Sequence, residues 1–462
     1  MLKSLKDKPV VIGIVLILLY ALILRVYHLG ASPLWFDETI SSLASKKIVE
    51  KGIPILDSGL FYSRALVFHY IQAIFIAFFG PNDFAVRFVS VLFGLGTVLL
   101  AFFIGKEFNK ETGIIAALFT AFLFLEVVYS RQARFYQAFQ FLFFLTIFLL
   151  YKSKKNKKYA YLASISLLIT VQTQIAGLVL VPFFLFVFYK EHKDWKLFII
   201  PILVSLYFGS SLLGLGATST GSVYAEEYTS KIFNSLRAFA IISLLGIPYA
   251  YKINKRMFYL LLLPSLIMFS GLFFVKVFAL RYAYFVTLSV IIFVSAVFSN
   301  IYKTNKLIGV AVVILAILYP SNLFFDYNYI TVIKPEIISS YTSTEPVIDY
   351  ESINQSTKQL ILNNPLVVLS SPGVEWYLKK PDYIIPFSLN GLESGYALYK
   401  GVDSYTGSTV WANQEKGFIF LEDYFAYSKL GPSQREKIDK IKSNCYLIEE
   451  NPSIKVYGCK IN

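Results

Sequence analysis

Leu66-Val67-Phe68-His69-Tyr70-Ile71-Gln72-Ala73-Ile74-Phe75-Ile76-Ala77-Phe78-Phe79 decides how the rest of the chain is read. Its fourteen residues are mostly apolar but enclose His69 and Gln72. That is short for a bilayer span and within the range of an interfacial or re-entrant helix. Whether it crosses sets the side of every later loop, and the basic clusters decide between the two cases. If the stretch stays in the interface, spans run from about Phe88 to Gly105, Gly113 to Tyr129 and Phe135 to Tyr151. Lys106 with Lys110, and Lys152, Lys154, Lys155, Lys157 and Lys158, then all face the cytoplasm, as the positive-inside rule asks. If it crosses, the five-lysine cluster falls outside.

Working back, Lys3, Lys6 and Lys8 precede an apolar run from Pro9 to about Tyr27, which reads as a retained anchor with a cytoplasmic N-terminus. Residues 28–87 become one external loop. Working forward, spans near 159–172, 176–189, 197–214, 235–251, 257–275, 282–299 and 307–325 keep the phase. They put Lys190, Lys193 and Lys196, then Lys252, Lys255 and Arg256, then Lys303 and Lys306, on the same inner side. The expectation is about eleven spans in residues 1–325, followed by an exoplasmic region at 326–462.

Composition agrees with that reading. The 462 residues are 56% hydrophobic, 17% aromatic and 16% charged, with a mean hydropathy of +0.59. This excludes a soluble protein of that size and defines a polytopic α-helical membrane protein. The net charge of +14 is explained by topogenic clusters and implies no nucleic-acid partner. In the tail, Leu366 to Leu369 and Tyr383 to Pro386 read as strands, Val374 to Lys379 as a short helix, and Cys445 to Ile448 with Lys455 to Tyr457 as a hairpin. A small α/β domain follows, without a phosphate-binding glycine motif. Cys445 and Cys459 stand there alone, and a structural disulfide is open to them if that side is oxidising.

The external face then holds the chemistry. Leu34-Trp35-Phe36-Asp37-Glu38-Thr39 carries adjacent carboxylates, which suit either a hydroxyl-activating base or the first turn of a helix. Arg64, Arg87, Arg131, Arg134 and Arg281 fall near membrane boundaries on the same side. Arginine there is either a headgroup anchor or, as a group, a bidentate partner for phosphate. Trp35, Tyr62, Tyr129 and Tyr136 either stack on a sugar or form an aromatic belt. His69 faces either the site or the headgroups. Glu126, inside an apolar run, is a candidate because intramembrane acids are expensive. Glu226 and Glu227 read as solvated charges rather than a metal site, and no metal ligand set stands out.

These stretches resemble a family. Leu34-Trp35-Phe36-Asp37-Glu38, Tyr62-Ser63-Arg64, Gly80-Pro81-Asn82-Asp83-Phe84-Ala85-Val86-Arg87-Phe88 with Gly94-Leu95-Gly96-Thr97, Tyr129-Ser130-Arg131-Gln132-Ala133-Arg134-Phe135-Tyr136 and Arg281-Tyr282 come in the family's order. The chain resembles the polyprenyl-phosphate-sugar-dependent glycosyltransferases of the GT-C superfamily, which include protein O-mannosyltransferases and the aminoarabinose transferase of lipid A. The resemblance covers residues 20–155 well and the tail hardly at all. It implies a GT-C fold with interfacial helices in the first external loop and sugar transfer with inversion from a lipid-phosphate carrier. No nucleotide sugar or other cofactor is implied. By resemblance Asp37 is the base with Glu38 beside it, and Arg64, Tyr62, His69, Arg131, Arg134, Tyr136, Arg281 and Tyr282 are substrate-binding candidates. Arg64-Ala65-Leu66 departs from the Lys-Pro or Pro-Pro that often opens the interfacial helix, and arginines replace the acid of the second external loop, which argues against a metal between acidic loops.

Two rival classes are a transporter or flippase for an anionic lipid or solute, and a scaffold whose tail binds an extracellular partner. No internal repeat supports a transporter. The expected partners are a polyprenyl-phosphate-linked sugar, an acceptor hydroxyl on a glycan, lipid or protein, and the bilayer. The expected location is the cell membrane.

Overall fold

The apolar stretches of the sequence fold as helices. In a computed structural model of the chain, residues 8–56, 61–216, 236, 238–271, 284–318, 348–369, 373–379, 381–384, 417–428 and 430–460 are described. The helices are α1 (Lys8–Val26), α2 (Phe36–Lys51), α3 (Leu66–Phe79), α4 (Asp83–Lys106), α5 (Lys110–Phe122), α6 (Phe124–Ser130), α7 (Tyr136–Lys152) and α8 (Lys158–Thr173). After a 3₁₀ turn come α9 (Val181–Val187), a π turn (Phe188–His192), and α10 (Ile199–Gly216). Then follow α11 (Ala238–Ile253), α12 (Lys255–Gly271), α13 (Thr287–Thr304) and α14 (Lys306–Leu318).

Among the described residues, four helical stretches are long and apolar enough to cross a membrane: Lys8–Val26, Asp83–Lys106, Ile175–His192 and Thr287–Thr304. The bent pair α5 and α6 makes a fifth. Several shorter apolar helices accompany them, so the protein is a multi-pass helical membrane protein. The single span expected over 113–129 is broken instead: α5 and α6 meet at 60°. Leu123 is extended there, with ψ 128°. No Gly or Pro marks the break in Phe119-Thr120-Ala121-Phe122-Leu123-Phe124.

α4 and α5 approach closely because Gly105 faces Gly113. A Cβ on Gly105 would sit 2.8 Å from the Gly113 Cα, the small-residue contact that lets membrane helices pack. At the ends of these helices the basic clusters meet one another. Lys152 pairs with Glu107, Arg256 with Glu191 at 2.6 Å, and Lys157 with Asp194 at 2.5 Å. Asn254 donates to the Glu107 carbonyl at 3.0 Å. Clusters assigned to one side from charge therefore lie together at one end.

Among the described residues the tail forms a five-stranded sheet in the order β2-β1-β3-β5-β4. Its strands are β1 (Leu366–Leu369), β2 (Tyr383–Ile384), β3 (Phe418–Asp423), β4 (Cys445–Glu450) and β5 (Ile454–Cys459). β1 runs parallel to β2 and β3, whereas β5 is antiparallel to β3 and β4. β1 and β3 are buried along their whole length. Their side chains alternate between two cores, Leu366, Val368, Ile419 and Leu421 on one face and Val367, Leu369, Phe418 and Phe420 on the other. α15 (Gln355–Asn363) covers the first face through Ile361. α17 (Tyr424–Ser428) and α18 (Pro432–Lys442) cover the second through Ala426 and Ile438. Between β1 and β2 lies α16 (Gly373–Tyr377). The hairpin pairs Cys445 with Cys459 in register, and a disulfide joins them.

Contacts divide the chain into two units. One comprises Met1–Leu29, Arg64–Phe68 and Arg87–Ile333; the other comprises Gly30–Ser63, His69–Val86 and Lys334–Asn462. Most of the first-loop segment thus packs with the tail rather than with the long helices.

Candidate active site

The acidic pair opens α2, and the helix start sorts the two carboxylates. Trp35 is the last extended residue, at φ −80° and ψ 168°. Glu38, in the third helical position, reaches back so that its Oε2 accepts from the Trp35 N–H at 3.2 Å, half of a capping box. Glu38 is fully buried in this role. Asp37 stays half-buried one position earlier, in the first turn of α2. Of the pair, Glu38 caps the helix and Asp37 is the less buried.

α3 has the bounds read from sequence, and its polar residues turn inward. His69 and Gln72 are buried. The Gln72 amide donates to the Val86 carbonyl at 2.7 Å and accepts from Ser45 of α2. His69 meets Tyr62 edge-on at 5.3 Å between ring centroids. The exposed stripe is Val67, Tyr70, Ile74 and Phe78, an apolar face suited to the membrane interface. Gly80, at φ +79°, ends α3, and Asn82 starts α4 by accepting from the Ala85 N–H at 2.9 Å. This gives Gly80 and Asn82 a local explanation.

In the other unit the arginines divide by duty. Arg25 is wholly buried. It donates to Thr120 O at 3.0 Å and Ala121 O at 2.9 Å, carbonyls of the last turn of α5 before the break at Leu123. Arg131, just after α6, donates in turn to Leu24 O at 2.9 Å and Tyr27 O at 2.7 Å at the end of α1. Arg25 of α1 thus satisfies carbonyls at the end of α5, and Arg131 satisfies those at the end of α1. Arg87 donates to Leu29 O at 3.0 Å. Arg131 and Arg87 are therefore tied to backbone, a structural duty that the phosphate reading of the arginine group did not anticipate. Arg134 is buried and lies over the rings of Phe135 and Tyr136 at 4.8 and 5.4 Å. Arg64 is exposed and precedes Ala65, which is held at φ +51°, a strained conformation for a residue with a Cβ. Arg281 and Tyr282 lie outside the described residues.

Sequence reading left Glu126 a weak candidate, and the fold gives it a centre. Its Oε1 accepts from Thr287 at 2.7 Å and from Gln140 Nε2 at 2.9 Å. Its Oε2 accepts from the Tyr284 hydroxyl at 3.0 Å. Gln137 joins through Tyr284 and Thr97. Every member is buried, and Tyr129 stacks on Tyr284 with centroids 4.1 Å apart. The network ties the broken helix α6 to α7 and to the start of α13. Glu126 and Arg25, neither marked by a motif, become legible only once the bend at Leu123 is known.

Asp37, Glu38, Tyr62 and His69 belong to one unit, and Arg64, Arg131, Arg134 and Tyr136 to the other. No group of three or more His, Cys, Asp or Glu side chains among the described residues is arranged to hold a metal ion.

With this geometry the chain has known counterparts. Its fold is similar to that of ArnT from Cupriavidus metallidurans. The apo structure has a TM-score of 0.65 at 11% identity and covers 98% of both chains. The undecaprenyl phosphate complex has a TM-score of 0.64 at 13% identity, covering 96% of this chain and 97% of that one. The Archaeoglobus fulgidus oligosaccharyltransferase AglB, solved with an inhibitory peptide and a dolichol-phosphate, gives a TM-score of 0.53 at 13% identity over 98% of this chain and 74% of that one. These likenesses show the fold, a helical membrane architecture shared with ArnT and the archaeal oligosaccharyltransferase. Residues 63–213 match the family model described as dolichyl-phosphate-mannose-protein mannosyltransferase. An uncharacterised protein of Aquifex aeolicus (strain VF5) is 24% identical over 149 residues, 31% of this chain and 30% of the relative's length.

Proposed function

We propose that the protein is an inverting glycosyltransferase that moves a sugar from a polyprenyl phosphate, dolichyl or undecaprenyl, to an acceptor hydroxyl on the exoplasmic membrane face. The observation that carries this is the sorting of the acidic pair, which caps the helix with Glu38 and leaves Asp37 half-buried at a helix N-terminus. In the reaction Asp37 takes the proton of the acceptor hydroxyl as its oxygen attacks the anomeric carbon. The bond from that carbon to the carrier phosphate breaks, the configuration inverts, and polyprenyl phosphate leaves. Arg64, Arg134 and Arg281 are the candidates to meet the phosphate charge as it develops. Tyr62, His69, Tyr136 and Tyr282 are the candidates to shape the sugar or acceptor site.

Family match and fold support a lipid-phosphate donor, since the similar proteins were solved with undecaprenyl phosphate and dolichol-phosphate. The Cys445–Cys459 disulfide supports an exoplasmic tail, because such bonds persist in oxidising compartments. The meeting of the basic clusters supports the phase that gives about eleven spans with the N-terminus cytoplasmic. The test is Asp37→Asn in protein that folds normally. Transfer of labelled sugar from a polyprenyl phosphate donor should fall by about 10²- to 10⁴-fold, the worth of a general base. Unchanged transfer rejects Asp37 as the base, and movement of intact donor without transfer would favour a flippase.

A further inference from the structure

The short helix α16 ends on Glu375-Trp376-Tyr377, three consecutive residues that all reach the first-loop segment. Glu375 pairs with Lys47 of α2 at 3.5 Å, and both side chains are nearly buried. Trp376 Nε1 donates to Asp83 Oδ1 at 2.9 Å. The Tyr377 hydroxyl donates to Asp83 Oδ2 at 2.7 Å and accepts from the Leu34 N–H at 2.5 Å.

This pattern has a local logic. Leu34 is buried and lies before α2, so its N–H has no place in the helix ladder and needs an outside acceptor. Tyr377 supplies it while passing its own proton to Asp83, whose two oxygens take both donors of the tail. Asp83 opens α4, where a carboxylate is favoured by the helix dipole. Behind Tyr377 the ring of Tyr350 stacks at 6.0 Å, and the Tyr350 hydroxyl bonds Asp423 of β3 at 3.4 Å. The sheet is thereby connected, side chain by side chain, to the backbone three residues before Asp37.

We propose that Glu375-Trp376-Tyr377 is a latch by which the tail domain holds the start of α2 and so presents Asp37. The tail is then a positioning part of the transferase rather than an appended binding module, and Tyr377 is a positioning residue acting through the Leu34 backbone. The proposal rests on the reading of Asp37 as the base, so its test has an arm that does not use turnover. Tyr377→Phe keeps the ring and removes only the hydroxyl; Trp376→Phe removes the second donor to Asp83. In the full chain, hydrogen exchange of residues 34–39 should speed up about tenfold in Tyr377→Phe, the worth of about one hydrogen bond. Transfer should lose about tenfold in kcat with KM for the lipid donor unchanged, as for a misplaced catalytic group. Trp376→Phe should act in the same direction. Unchanged exchange in both variants overturns the latch. Faster exchange with unaltered transfer, while Asp37→Asn abolishes transfer, overturns its positioning role and leaves the base intact. If Asp37→Asn is itself fully active, the base is wrong, the positioning role falls with it, and exchange alone decides whether the tail holds α2.

Discussion

Glu126 offers a prediction whose size follows from the geometry. Replacing it with leucine removes the acceptors of three donors: Thr287, Gln140 Nε2 and the Tyr284 hydroxyl. Two of these have substitutes already in reach. The Tyr284 proton can pass to Gln140 Oε1 at 2.9 Å, and Thr287 can donate to the Tyr284 carbonyl at 2.9 Å. The third, Gln140 Nε2, already donates to Thr287 Oγ1 at 2.9 Å and lies 3.3 Å from that carbonyl. Glu126→Leu therefore removes three buried hydrogen bonds without orphaning a donor outright and should cost about 1–3 kcal/mol. Glu126→Gln should cost under about 1 kcal/mol. Its carbonyl serves Thr287 and Gln140, and its amide donates to the Tyr284 oxygen once that proton turns to Gln137. The assay is thermal unfolding of the detergent-solubilised protein, together with transfer kinetics. A glutamine variant as unstable as the leucine variant would falsify this account and show that the network needs the charge rather than the acceptors.

The Gly94 contact is the second test. A Cβ there would lie 2.6 Å from the Ser130 Cβ and 3.0 Å from Arg25 Nε. Gly94→Ala should lose about 1–3 kcal/mol through overpacking, whereas Gly13→Ala, with nothing within 4 Å of its Cβ, should be neutral or slightly stabilising. Equal stability of the two variants would refute the close approach of α4, α6 and Arg25. Breaking the Cys445–Cys459 bridge, 14 residues apart, should cost the tail about 3 kcal/mol on the chain-entropy estimate. Exchange of β3 and β5 amides in the full chain after mild reduction reads this out, with the α4 amides as the internal reference.

How much of this was legible in the chain depends on how far apart the interacting residues lie. The bounds of α3 and β1, the hairpin at Cys445 and Cys459, and the shared end of the basic clusters follow from hydropathy, period and charge within short windows. Those signals work because a helix or strand buries a face set by neighbours a few residues away. β3 escaped notice, although its burial on both faces makes Phe418-Ile419-Phe420-Leu421 a continuous apolar run. Its neighbours in the sheet come from residues 366–369 and 454–459.

The site divides the same way. Sequence alone pointed to Asp37-Glu38 and to a set of arginines, because residue type and membrane side limit what such groups can do. Only the tertiary structure separated Glu38 the cap from Asp37. Only it showed that Arg131 serves carbonyls at residues 24–28, that a break at Leu123 calls for Arg25, and that Tyr377 reaches Leu34 across 343 positions. Hydrogen bonds satisfy backbone groups wherever the fold brings a donor, and chain separation leaves no periodic trace of them.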